Sequence, residues 1–157
     1  MATTGSLQDA IHGIINASVP LPWLVVSGQP TEVQLATLRD AGLSTVIDLR
    51  ESMEPRLIDE PAAVRGLGMR YVNLPVVSGA LDDEMMLAVL DAMRAAAGQP
   101  TLLHCNSANR TGGPLIAYLI LGAGLDESAA VDIAMRSGLR SVEVLEWATA
   151  YANAHRQ

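Results

Sequence analysis

Lysine is missing from this chain: all ten basic residues among its 157 are arginines. That excludes Schiff-base chemistry and the lysine-dependent phosphate loop of nucleotide-binding proteins. Phenylalanine is missing too, and aromatic residues make up only 3% of the chain, so no platform exists for stacking nucleic-acid bases. A formal net charge of −7 argues against nucleic acid and against an anionic membrane surface as partners. The single cysteine excludes an internal disulfide and any cysteine-rich metal site. His12, His104 and His155 show no ligand spacing, so neither metal nor cofactor is expected. Residues 1–22 lack a basic start and a continuous apolar stretch, and no run reaches membrane-spanning length. The cytoplasm is the expected compartment.

What is present is core-forming material. Half of the residues are hydrophobic and 17% are charged, and a chain of this length buries about two-thirds of its unfolded surface as one domain. The expected division is an N-terminal helix and lead-in over 1–22, a core over 23–122, and C-terminal helices over 126–157. Leu7, Ile11, Ile14 and Ile15 mark a helix over 6–16, capped by Ser6 and ended by Pro20 and Pro22. A strand over 24–28 leads to Thr31 and Gln34, spaced as a capping box for a helix that Gly42 stops. Residues 44–50 and 70–76 read as strands, separated by a charged loop and a helix opening at Asp59-Glu60-Pro61. An amphipathic helix over 82–97 buries Met86, Val89, Leu90 and Met93 and precedes a strand at 101–104. The helix over 114–122 is apolar all round; two more follow, capped by Asp126 and Ser141. Strands alternating with helices give an α/β fold of three layers, with a mostly parallel sheet of four to five strands flanked by helices. Ligands on such sheets bind at the carboxyl ends of the strands.

Cys105 falls at such an end. It follows the apolar run Thr101–His104 and precedes a small polar loop, Arg110, and an apolar helix. Unpaired N–H groups at a helix start stabilise negative charge, whether a thiolate or a bound anion. The planar fork of Arg110 matches two oxygens of a phosphate or sulfate. Backbone amides over Asn106, Ser107, Ala108, Asn109, Arg110 and Thr111 could ring a tetrahedral oxyanion while Cys105 attacks phosphorus in line with the leaving group. Thr111 could donate to the sulfur. His104, preceding the cysteine on a strand, should point away and fix the loop. Asp82 and Asp83 are the nearest candidates for a general acid, although acids in a first helical turn also answer the helix dipole. Asn106, Ser107 and Asn109 are expected to act through their backbones. Arg50 could charge the pocket or pair with Glu51 or Glu54; Gln29 could touch substrate, position water, or serve only to start a helix.

The His104-Cys105 … Arg110-Thr111-Gly112 stretch resembles the signature loop of cysteine-dependent protein tyrosine and dual-specificity phosphatases. Val46-Ile47-Asp48-Leu49-Arg50 and Tyr71-Val72-Asn73-Leu74-Pro75-Val76 resemble two strands of the dual-specificity fold. Ser27-Gly28-Gln29-Pro30-Thr31 is similar, more narrowly, to bacterial phosphatase-like domains that also occur fused to β-lactamase-like hydrolases. Over roughly residues 16–122 this resemblance implies a dual-specificity-phosphatase-like fold, Cys105 as nucleophile and Arg110 as clamp. The implied substrates are phosphomonoesters, among them phosphotyrosine, phosphoserine or phosphothreonine in proteins. Three departures stand out. Four residues separate cysteine from arginine where the usual loop has five, a shortening shared with the narrower bacterial group and with rhodanese-type sulfurtransferases. Ala108 replaces the loop glycine and is strained if that backbone needs positive φ. Ser78 stands near the usual aspartate. Two other functions fit these residues: a sulfurtransferase carrying a Cys105 persulfide, and a non-catalytic anion-binding module.

Overall fold

Strands β1 (Ser18–Leu21), β2 (Leu24–Ser27), β3 (Thr45–Asp48), β4 (Arg70–Asn73) and β5 (Thr101–His104) form one sheet in the order β1-β2-β5-β3-β4. This is the arrangement in a computed structural model, which describes residues 6–156. β2, β5, β3 and β4 are parallel, and β1 closes the sheet as an antiparallel edge. β5 is the central strand, hydrogen-bonded to β2 on one side and β3 on the other. The residue after it, Cys105, therefore emerges in the middle of the carboxyl-terminal edge, the position expected for a ligand site.

Strand side chains alternate between faces, and the two cores follow that alternation. Leu24, Val26, Ile47, Leu49, Leu103 and Cys105 face one core with Met86, Leu115, Ile116 and Trp147. Val25, Val46 and Leu102 face the other, with Leu7, Leu35, Leu38 and Val64. The first core is covered by helices α4 (Asp83–Ala96), α5 (Gly112–Leu121), α6 (Glu127–Arg136) and α7 (Val142–His155). The second is covered by α1 (Leu7–Ala10), α2 (Glu32–Asp40) and α3 (Glu60–Gly66). The expected three layers are present, and α5 is buried along nearly its whole length. No helix among the described residues is long and apolar enough to cross a membrane.

The capping residues do what their sequence promises. Thr31 and Gln34 form a reciprocal capping box, and Asp59, Asp82, Asp126 and Ser141 each accept a hydrogen bond from the first turn of their helix. Five elements differ from expectation: the strands expected over 44–50 and 70–76 run only from Thr45 to Asp48 and from Arg70 to Asn73. The first helix stops at Ala10 because Gly13 (φ 86°) and Asn16 (φ 50°) turn the chain. Residues 18–21 form a strand despite Pro20, which an edge strand tolerates because one row of its backbone groups needs no partner. α5 begins two residues earlier than expected, at Gly112. Residues 1–5, part of the expected lead-in, lie outside the described residues.

Candidate active site

The loop from Cys105 to Thr111 is tied down on all sides. The Cys105 amide donates to Ser27 O (3.3 Å) and the Gln29 amide donates to Asn106 O (3.0 Å). Gly28 permits this approach, since a Cβ there would lie 2.7 Å from Asn106 O. Asn16 Nδ2 donates to Ser107 O (2.9 Å). Asn109 Oδ1 accepts from the amides of Arg140 (2.8 Å) and Ser141 (3.0 Å), fastening the loop to the start of α7. Asn109 thus works through its side chain, contrary to expectation, and its two acceptor bonds lie 31 and 32 residues away in sequence, where no local pattern shows them.

Ala108 adopts φ 71°, the left-handed conformation in which a side chain is strained. The site is fully buried, and Gly138 packs behind it; a Cβ on Gly138 would come within 2.9 Å of the Ala108 Cβ. Thr111 Oγ1 donates to Ala108 O (2.8 Å). Its one proton braces the loop in this state instead of reaching the cysteine sulfur. Among the described residues, the amides of Asn106, Ser107, Asn109, Arg110 and Thr111 have no intramolecular acceptor, whereas those of Gly112 and Gly113 bond back to Asn109 O and Arg110 O. Several N–H groups are therefore held in one tight turn next to a buried thiol, the arrangement of an anion-binding concavity.

Arg110 completes that arrangement from the side. Its Nη1 and Nη2 donate to Glu54 Oε2 (2.6 Å) and Oε1 (2.7 Å). Glu54 holds the guanidinium above its ordinary pKa, burial opposes this, and the neighbouring Cys105 sulfur adds to it. In return Arg110 holds the Glu54 carboxyl below the usual carboxylate range, against the opposing effect of burial. Two of the five guanidinium donors are engaged by Glu54, which leaves the others for an oxyanion.

Beneath the loop lies a buried charged cluster. The parallel register sets Asp48 beside His104, and both side chains are fully buried. His104 points away from Cys105, as expected, with Nε2 against Glu60 Oε2 (2.5 Å) and Nδ1 at 3.1 Å from Cys105 O. Arg50 Nε and Nη2 donate to the two oxygens of Asp48 (3.0 and 2.8 Å), and Nη2 also reaches Glu60 (3.3 Å). Arg50 thus pairs with Asp48 and Glu60, not with Glu51 or Glu54. Burial tends to raise the Asp48 pKa, but Arg50, His104 and the Tyr71 hydroxyl (2.6 Å) outweigh it and lower it to about 2. Asp48, Glu60 and His104 offer ligand atoms within 4.8 Å of one another, a geometry that could hold a metal ion. Arg50, Arg56 and Tyr71 already engage these carboxylates, so an ion would have to displace a buried guanidinium.

Asp82 is fixed as the N-cap of α4, its Oδ1 accepting from the Met85 amide (2.8 Å) and its carbonyl from Trp147 Nε1 (2.9 Å). Asp83 is exposed in the first turn of the same helix. Both carry the local role that helix electrostatics gives them. Gln29 lies at the end of β2, with Nε2 bonded to Glu60 Oε1 (2.6 Å). Glu54, Glu60, Tyr71, Asn16 and Gly138 are site residues that sequence reasoning did not single out for it.

Comparison with known proteins gives three findings. The family model described as β-lactamase hydrolase-like protein, phosphatase-like domain, matches residues 19–116. The dual specificity protein phosphatase TpbA of Pseudomonas aeruginosa is 30% identical over 145 residues, 91% of this chain and 64% of TpbA, so the chain spans under two-thirds of that relative. Its crystal structure superposes with a TM-score of 0.70 at 28% identity, covering 89% of this chain and 84% of that one, and a second TpbA structure is a complex with pTyr. A putative phosphatase of Shewanella putrefaciens has a TM-score of 0.80 at 24% identity, covering 95% and 99% of the two chains, and shares the fold.

Proposed function

The chain belongs to the family of phosphatase-like domains of β-lactamase hydrolase-like proteins, within the cysteine-dependent phosphatase superfamily, and from that premise we propose that it hydrolyses phosphomonoesters through Cys105. The observation that carries this reading is the loop itself: amides without an intramolecular acceptor and the Arg110 guanidinium share one short turn with a buried thiol. Three phosphoryl oxygens take hydrogen bonds from the amides and from Arg110. Cys105 Sγ attacks phosphorus, the P–O bond to the leaving group breaks, and that oxygen takes a proton. Water then attacks phosphorus, the S–P bond breaks, and the thiolate returns with inorganic phosphate as product. His104 acts as a positioning residue, through its contact with the Cys105 carbonyl.

Asp82, with Asp83 second, is the residue we assign as proton donor where a poor leaving group needs one. Phosphorylated proteins and small aryl phosphates are the substrate classes, a reading supported by the TpbA complex with pTyr. The cytoplasm is the compartment expected from the sequence, tested by fractionation. A sulfurtransferase shares the four-residue spacing, but the family match and the TpbA relationship support the phosphatase. The test is steady-state turnover of 4-nitrophenyl phosphate with a Cys105→Ser control. Phosphate release by the parent protein and none by the variant is the expected result. Thiocyanate formation from thiosulfate and cyanide without any phosphate release would overturn the proposal, and so would tight phosphate binding with no turnover.

A further inference from the structure

Both ring nitrogens of His104 face acceptors. Nδ1 lies 3.1 Å from the Cys105 carbonyl oxygen, and Nε2 lies 2.5 Å from Glu60 Oε2. A carbonyl oxygen only accepts, so Nδ1 carries a hydrogen. Glu60 Oε1 already accepts from Gln29 Nε2 (2.6 Å) and Arg50 Nη2 (3.3 Å), which leaves Oε2 to meet the ring. One further proton sits between Oε2 and Nε2, because two bare lone pairs repel at hydrogen-bond distance. Imidazole is ordinarily the stronger base of the two groups by about 2 pH units. A second carboxylate oxygen, Asp48 Oδ1, stands 3.8 Å from the same nitrogen. Both facts put the proton on the ring. The neighbouring donors are spent elsewhere: Arg50 on Asp48 and Glu60 Oε1, Arg56 and the Tyr71 hydroxyl on Asp48. Asp48, Glu60 and His104 are all buried, so solvent screens their charges little.

We propose that Glu60 is a positioning residue for Cys105: it holds His104 as a buried imidazolium whose Nδ1–H donates to the cysteine's carbonyl. The arrangement does two things. It pins the loop where its first residue leaves β5, and it sets a fixed positive charge one residue from the thiol, where opposite charge favours the thiolate. This inference rests on the phosphatase reading above and adds to its site a carboxylate that acts through His104. Glu60→Gln separates charge from shape. The new amide oxygen keeps the bonds to Gln29 and Arg50, and the new amide nitrogen becomes a donor toward His104 Nε2. The ring then keeps Nδ1–H and gives up its other proton. The hydrogen bonds survive and the positive charge goes.

Nitrogen-15 NMR of the full labelled chain at neutral pH counts the ring hydrogens. His104 is the one buried histidine of three, which sets its signals apart. The parent protein is expected to show both His104 nitrogens protonated, and Glu60→Gln only one. Turnover of 4-nitrophenyl phosphate is the second readout. Glu60→Gln is expected to lose about tenfold in kcat/KM at about pH 6 and far less at about pH 8, where the thiolate forms without help. A merely structural role for Glu60 would lower the rate by one factor at both. A single protonated His104 nitrogen in the parent protein overturns the inference, and that measurement needs no variant to fold. So does a Glu60→Gln chain that keeps both ring hydrogens, or one whose loss is the same at the two pH values. Absence of turnover by the parent protein overturns the phosphatase reading, while the count of ring hydrogens still decides whether Glu60 charges His104.

Discussion

Glu54 and Arg110, 56 residues apart in sequence, meet through two parallel hydrogen bonds of 2.6 and 2.7 Å. The pair is partly buried, with side chains 21% and 12% exposed. Glu54 takes one hydrogen from each terminal nitrogen of the guanidinium, which also neighbours Cys105. A clamp held this way meets a phosphoryl group already oriented, without ordering a long flexible side chain on binding. Glu54→Ala is therefore expected to lower kcat/KM for 4-nitrophenyl phosphate by roughly 10- to 100-fold. Arg110→Lys should cost more, about 100- to 1,000-fold, because an ammonium keeps the charge but loses the fork. Steady-state kinetics on the two variants checks both, and a Glu54→Ala enzyme as active as the parent would refute the positioning role.

Asp48 gives the fold an acid limit. Its pKa falls from 3.8 to about 2 in the folded chain. A depressed carboxyl contributes stability that is complete above its unfolded value and disappears as pH falls through its folded one. The window is thus about pH 4 down to 2, and the shift corresponds to roughly 2 kcal/mol. Urea unfolding midpoints should decline across that range. Asp48→Asn should flatten this dependence while costing about 3 kcal/mol or more at neutral pH, since it strips a buried guanidinium of its closest carboxylate.

Ala108 and Gly138 form a second matched pair. Ala108→Gly relieves a positive-φ alanine at φ 71°, and the relief should exceed the added freedom of the unfolded chain, for a gain of about 0.5–1 kcal/mol. Gly138→Ala acts the other way: it places a Cβ 2.9 Å from that of Ala108 on a backbone at φ 111°. A loss of about 2 kcal/mol or more is expected, with lower activity. Thermal unfolding measured side by side with turnover tests both signs.

The proton donor can be assigned by leaving group. Asp82→Asn keeps an N-cap, because asparagine caps as well as aspartate does, so α4 should remain intact. If Asp82 is the acid, turnover of phenyl phosphate should drop by roughly 100-fold or more, while 4-nitrophenyl phosphate, whose leaving group needs little help, falls far less. Equal small losses on both substrates would move the assignment to Asp83, tested by the same pair.

The parts of this molecule that a reader of the sequence can find are those written locally. The capping residues Thr31, Asp59, Asp126 and Ser141 sit directly before apolar periodicity and act where they stand. Cys105 and Arg110 share one loop, so their spacing alone announces an anion site. Glu54 and Glu60 are different. Each is one carboxylate in a charged stretch, and only the parallel pairing of β3 with β5 brings their neighbourhood under the loop. Edge strand β1 is hidden by Pro20, since a proline argues against a strand except at an edge. The left-handed Ala108 was legible as a conditional, since its strain depends on a φ that no local pattern dictates.

The Asn109 side chain, bonded to the amides of Arg140 and Ser141, makes the chemistry of the loop depend on chain far beyond it. Gly138 backs Ala108, and Trp147 packs where Gly113 has no side chain. All four of these supports lie after residue 116, where the match to the family ends. The unit that can be transplanted, fused or trimmed without disarming the thiol is therefore larger than the recognisable motif region. It has to carry α6 and α7 along, as the buttress against which the reactive turn is wedged.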